Sequence, residues 1–309
     1  MIGICSSIFL MNELLPQLTQ QLVNGLSLGA IYALIAIGYT MVYGILRLIN
    51  FAHGDIFMVG GYLAFYGLST FLLPWWLAVI MAIAVTTIFG VGLERVAYRP
   101  LRDSPRISIM ISAIGASFLI ENLAIVLFDA RPKAFHVPEF LARNFILDGV
   151  HIASVSLVIP VVTAVILAFL LWMVHRTRVG MAMRAVSTDI EASRLMAIDV
   201  NQIVSITFAI GSALAAIGGI LWALKYPRLE PLMGIMPGLK CFIAAVIGGI
   251  GSIGGAVLGG LLLGIIELMT VAFLPELTGY KDAFAFVLLI VVLLVKPTGL
   301  LGKNQGEKV

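Results

Sequence analysis

Long apolar runs alternate with short polar interruptions along this chain, and the interruptions carry most of its information. A membrane-crossing helix needs roughly 20 apolar residues. Candidate spans fall at residues 22–46, 55–73, 75–93, 107–128, 152–174, 204–224, 237–250, 254–274 and 283–295. The seventh and ninth are short. Pro74 leaves only a tight turn between the second and third, and the Trp75-Trp76 pair after it suits a membrane interface. The pattern predicts an all-α integral membrane protein, a polytopic helical bundle of about eight or nine transmembrane segments. Residues 1–16 read as an N-terminal extension, with Met11 an equal candidate for the start, and 17–309 as one transmembrane domain.

The longest polar interruption is the inner loop 175–203, which holds Arg176, Arg178, Arg184, Asp189, Glu191, Arg194 and Asp199. A short helix is expected over 180–186, followed by a turn at Ser187-Thr188. Thr188 and Glu191 have the spacing of a capping box for a second helix, which would carry Ile190, Leu195, Met196 and Ile198 near one side. The segment reads either as a solvated loop or as a docking surface for a cytoplasmic motor. The outer loop 129–151, with Pro132 and Pro138, reads as a connector.

Composition agrees with the pattern. A chain of 309 residues that is 61% hydrophobic and 11% charged, with mean hydropathy +1.09, exceeds what a soluble core can hide. The net charge of +3 matters less than where the cations fall. Arg47, Arg95, Arg99, Arg102, Arg106, the four arginines of the 175–203 loop, Lys296, Lys303 and Lys308 fall inside if nine crossings place the C-terminus in the cytoplasm. If 237–250 is re-entrant, the parity changes. Nothing calls for nucleic acid, and Cys5 and Cys241 lack metal-ligand spacing.

A faint internal symmetry accompanies the spans. One apolar helix stops before Asn50, His53 and Gly54 and resumes at once; another stops at 225–234 and resumes at 235. Paired interruptions of this kind mark inverted-repeat transporters. Asn50, His53 and Gly54 are either a helix break or a gate, and Asp55 suits the start of the following helix. Glu121 and Glu267 lie inside spans, where a carboxylate is costly and faces the bundle or a wet path. Gly255, Gly259, Gly260 and Gly264 have small-xxx-small spacing for close helix packing. The formal G-x-G-x-x-G at 249–254 lacks a preceding strand, and no P-loop motif occurs. A transporter without a nucleotide site and with few ionisable groups in its spans points to a borrowed motor.

Several stretches together resemble the branched-chain amino-acid permease family of bacterial ATP-binding-cassette importers, in particular its shorter, high-affinity H-type branch. They are YALIAIGYTMVYG at 32–44, INFAHGD at 49–55, ERVAYRPLR at 94–102, ISAIGASFLIEN at 111–122, TRVGMAMRAVSTD at 177–189, AAVIGGIGSIGGAVLGGLLLGIIE at 244–267 and KPTGLLG at 296–302. The resemblance implies a bacterial inner-membrane permease without catalytic residues, metal or cofactor of its own. It implies a second permease, two cytoplasmic ATPases that bind ATP and magnesium, and a periplasmic binding protein delivering leucine, isoleucine or valine. It also makes 180–198 the segment that couples to the ATPases, with Gly180, Arg184, Ala185 and Asp189 matching the family pattern and Glu191 and Arg194 beside them. Two departures stand out: Ala197-Ile198-Asp199 replaces the family's usual Gly-Ile-Asn, and Arg47 stands where a small residue is common. The same machinery carrying urea or short amides, an ion-coupled carrier and a channel are the alternatives.

Overall fold

The computed structural model describes residues 2–102, 104–147 and 150–302, with the side chains of 2–15 and of Leu147 left out. Lys303 and Lys308, Met1, and the side chains of Cys5 and Met11 therefore lie outside what is described.

Eleven α-helices account for nearly all of the described secondary structure. They are α1 (Ile2–Leu46), α2 (His53–Ser69), α3 (Trp75–Leu93), α4 (Arg106–Phe128), α5 (Ser154–Arg176), α6 (Arg178–Thr188), α7 (Ile190–Leu195), α8 (Val200–Lys225), α9 (Ile235–Gly248), α10 (Ile253–Phe273) and α11 (Lys281–Val295). Seven helical segments are long and apolar enough to cross a membrane. Helices α2 and α9, with 17 and 14 residues, fall outside those seven. This is the polytopic bundle the apolar pattern describes. The chain belongs to the membrane as a multi-pass protein.

The short helices are short because they begin inside the bundle. After α1 ends, Arg47 adopts a left-handed backbone (φ 56°), and 47–52 fold back so that the His53 ring lies against Gly38. Gly38 is eight residues, roughly 12 Å, before the end of α1. The first turn of α9 meets the first turn of α2 at the same place: a Cβ on Gly54 would lie 2.5 Å from the Gly234 carbonyl oxygen, and one on Gly234 would strike the Gly54 carbonyl.

The two interrupted regions share the contact pattern expected of an inverted repeat. Helices α1, α2 and α3 correspond to α8, α9 and α10. Thus α1 packs on α10 as α8 packs on α3; α2 packs on α8 as α9 packs on α1; and α2 lies beside α3 as α9 lies beside α10. Apolar side chains gain little by leaving lipid for one another, so close backbone approach must hold such an arrangement together. Gly260 and Gly264 supply it against Ala33 and Gly29 of α1, and Gly255 and Gly259 against the Gly248 and Ala244 carbonyls of α9.

The two ends of segment 237–250 are tied to different loops. Strand β4 (Arg228–Leu229), just before it, pairs with β1 (Lys133–Ala134) in the loop after α4. At the far end of α9, the Ile247 and Gly248 carbonyls accept hydrogen bonds from Leu300 and Leu301, beyond α11. The loop between α4 and α5 also holds an antiparallel pair, β2 (Asn144–Leu147) with β3 (Val150–Ala153).

Two expectations about the 175–203 loop need correction. The first helix runs through Thr188, and the residue that caps α7 is Asp189, whose Oδ1 accepts from the Ala192 amide at 3.0 Å. Thr188 instead turns its hydroxyl back to the Arg184 carbonyl at 3.0 Å, an oxygen that also accepts from the Ser187 hydroxyl, the local back-bonding that Ser and Thr favour at helix ends. The second helix also stops at Leu195. Ala197 then takes φ 60°, so Met196 and Ile198 do not share one helical face with Ile190.

Candidate functional site

Three clusters hold the chemistry-bearing residues.

The first is a cavity of about 320 Å³ where the starts of α2 and α9 meet α1 and α4. Gly54, Asp55, Gly234 and Gly238 form its floor, Tyr39 and Phe242 one wall, and Ile114, Ser117, Phe118 and Glu121 of α4 another. Asp55 is 3% exposed and accepts a hydrogen bond from the Ser117 hydroxyl at 2.5 Å. It lies in the first turn of α2, where the helix amides favour its charge. Of the five residues singled out as a path or gate, Gly54 and Glu121 share this cavity. Asn50 and His53 sit behind it, fully buried. Asn50 accepts from the Tyr98 hydroxyl at 2.7 Å, and the His53 ring packs 4.5 Å from that of Tyr39.

Glu267 belongs to a second cluster. Its Oε1 takes a 2.7 Å hydrogen bond from Lys240 Nζ, and its Oε2 takes one of 2.9 Å from the Tyr32 hydroxyl. Lys240 also pairs with Asp282 Oδ1 at 2.6 Å. This network ties α1, α9, α10 and α11 together. Lys240 and Glu267 are 27 residues apart in sequence, which is why the spacing of residues concealed the pair. A comparable buried pair on the inner side joins Glu94, fully buried, to Arg102, with Ser205 of α8 donating to Glu94 at 2.7 Å.

The third cluster is the inner loop. Met183 and Val186 of α6 bury against the bundle, and Thr177 caps the helix by accepting from the Gly180 amide at 3.1 Å. Gly180 fits directly under the Met173 and Val174 carbonyls, where a Cβ would collide. Arg184 donates to the Val174 carbonyl at the end of α5. Ala185 accepts the Asp189 amide at 3.0 Å. Glu191 and Arg194 are exposed, and beside them Leu195 and Met196 are 87% and 77% exposed. Arg47, at the other inner turn, donates to the Ser187 carbonyl at 3.2 Å. The loop is therefore a fixed platform with an apolar tip.

A helical bundle with paired broken helices meeting in its interior and an inner platform packed on α1, α5 and α8 has the architecture of a membrane permease. Comparison with known proteins narrows the class. Residues 21–293 match the family model described as branched-chain amino acid transport system / permease component. The chain is 46% identical over 305 residues to the high-affinity branched-chain amino acid transport system permease protein BraD of Pseudomonas aeruginosa, covering 94% of this chain and 97% of that protein. It is 41% identical over 312 residues to the LivH permease of Escherichia coli, covering 97% and 100%. A probable LivH permease of the archaeon Methanocaldococcus jannaschii is 25% identical over 285 residues. This chain belongs to the branched-chain amino acid permease family, and it is a multi-pass protein of the inner membrane.

Proposed function

We propose that the chain is the transmembrane subunit of an ATP-binding-cassette importer that moves leucine, isoleucine and valine into the cytoplasm. The observation that carries this reading is end-to-end identity of 46% and 41% to permeases named for that transport. In this reading the chain pairs with a second, related permease. Two cytoplasmic ATPases hold the ATP and magnesium, and a periplasmic binding protein delivers the substrate. The α6–α7 platform receives the ATPases. A motor or ligand shifts a two-state equilibrium only by contacting the two states differently. The packing of α6 on α1, α5 and α8 supports this role, since a displacement of the platform would be passed to members of both repeats. Rocking of the α1–α3 repeat against the α8–α10 repeat then opens the path alternately to each side.

The test is to isolate the chain from its native membrane in mild detergent and identify its companions. Two ATPases and a second permease, with ATP hydrolysis stimulated by a leucine-loaded binding protein, are expected. A lone chain without ATPase activity would sink the importer reading.

A further inference from the structure

Besides Asp282, which shares Lys240 with Glu267, Glu94, Glu267, Asp55 and Glu121 lie within or beside the spans at strongly or partly buried positions, and they fall into two kinds. Glu94 is paired with Arg102 and Glu267 with Lys240, as buried charges in a membrane require. Asp55 and Glu121 have no Lys, Arg or His within ion-pair distance among the described residues. Asp55 is 97% shielded, being 3% exposed, and its one hydrogen-bond partner given by the geometry is the neutral Ser117 hydroxyl. Both acids open into the same cavity. Removing a carboxylate from water without a cation is expensive, so a guest that supplies one is favoured there.

The rest of the cavity describes that guest. Phe118, Leu239 and Phe242 give it an apolar wall, and its volume of about 320 Å³ falls at the small end of the ~300–1,000 Å³ range of ligand pockets. Gly234 and Ile235, the start of α9, also line the cavity, beside Gly54, and the first turn of that helix holds no acidic residue.

We propose that this cavity is a substrate-binding site within the permease itself, in which Asp55 and Glu121 receive the α-ammonium group of an aliphatic amino acid while its branched side chain lies against Phe118, Leu239 and Phe242. The substrate carboxylate is then left toward the start of α9, the positive end of that helix. Ser117 acts as a positioning residue that fixes the Asp55 rotamer. The proposal deepens the importer reading and rests on it for the identity of the substrate.

Two measurements on the complete, purified transporter separate the two ideas. Leucine uptake into proteoliposomes with the loaded binding protein tests the importer reading. Thermal stabilisation by 3-methylbutylammonium, which keeps leucine's side chain and ammonium but lacks its carboxylate, tests the cavity without requiring transport. The wild-type assembly is expected to be stabilised, and Asp55→Asn to lose that stabilisation together with about tenfold or more of the uptake rate, as when a hydrogen-bonded charge contact is removed. Asp55→Glu keeps the charge but alters the shape, so it should retain more uptake than the isosteric Asp55→Asn; a merely structural role predicts the reverse order. Should Asp55→Asn fail to assemble, Glu121→Gln, on the half-buried rim, carries the test through the same two readouts. Equal stabilisation in wild type and variants, or none in wild type, overturns the ammonium site. Stabilisation without leucine uptake leaves the cavity intact and overturns the substrate assignment.

Discussion

Gly54 and Gly234 touch backbone to backbone in the interior of the bundle, each occupying the space a side chain on the other would need. The first turns of the two broken helices are joined there, and so are the two halves of the inverted repeat. A Cβ on Gly54 has nowhere to go, since the obstacles are the Gly234 carbonyl and the Gly238 Cα at 3.2 Å.

Gly54→Ala is therefore expected to destabilise the purified protein by about 1–3 kcal/mol, the usual cost of overpacking, seen as a lower unfolding temperature in detergent. Gly92, at the exposed end of α3, has no atom within 4 Å of its Cβ position. Gly92→Ala should be neutral or stabilising by up to about 1 kcal/mol through helix propensity. Equal losses in both variants would contradict the contact.

The Lys240–Glu267 pair should behave as a unit. Lys240→Met strands Glu267, 6% exposed, in an apolar setting and is expected to cost about 3–5 kcal/mol. Lys240→Met combined with Glu267→Leu should cost less than the single change, and a double-mutant cycle by thermal unfolding in detergent measures the difference. A double variant as unstable as the sum of its parts would mean the pair is not coupled.

Arg47 and Ala197 both fall on left-handed backbone, at φ 56° and φ 60°. A Cβ there costs about 1–2 kcal/mol, and glycine gives back part of that gain as entropy. Ala197→Gly should thus stabilise the α7–α8 junction by about 0.5–1 kcal/mol, read as slower amide exchange across 190–200. Arg47→Gly relieves the same strain but loses the hydrogen bond to Ser187, so its net effect should be close to zero.

Arg184 bonds to the end of α5, so Arg184→Glu disturbs the platform itself, at about 1 kcal/mol for the lost hydrogen bond, as well as any surface docked on it. Leu195 separates the two effects. Leu195→Glu, at an 87% exposed position, should leave the unfolding temperature unchanged while abolishing substrate-stimulated ATP hydrolysis. Wild-type uptake at wild-type expression would remove the loop from the coupling mechanism.

Much of this molecule is legible in its sequence because the bilayer imposes a length on its apolar runs. The spans read at 75–93 and 107–128 differ from α3 and α4 by a residue or less. The interrupted helices were legible as well, since Gly54 and the polar 225–234 stretch break the pattern at equivalent places. The pairing of distant charges was not. Lys240 shows no partner within a helical turn, and its carboxylates come from two other helices. Asp55 resembles an ordinary helix-start acid until the fold brings α4 against it, 62 residues away, through Ser117. The α7 cap was misplaced by one position because the T-x-x-E spacing favoured Thr188 over its neighbour Asp189, the better capping residue, while the Thr188 hydroxyl is taken up by the Arg184 carbonyl.

The brevity of α9 has a consequence for how the protein is made. Its 14 residues extend roughly 21 Å, short of the ~30 Å hydrocarbon layer. Lipid alone therefore does not retain it as it leaves the ribosome. Its neighbours are α1 and α2, synthesised before it, and α10 and α11, synthesised after it. The hold of α9 in the bilayer therefore rests on protein neighbours made both before it and after it, and a change in any of them reaches the point where the two broken helices meet.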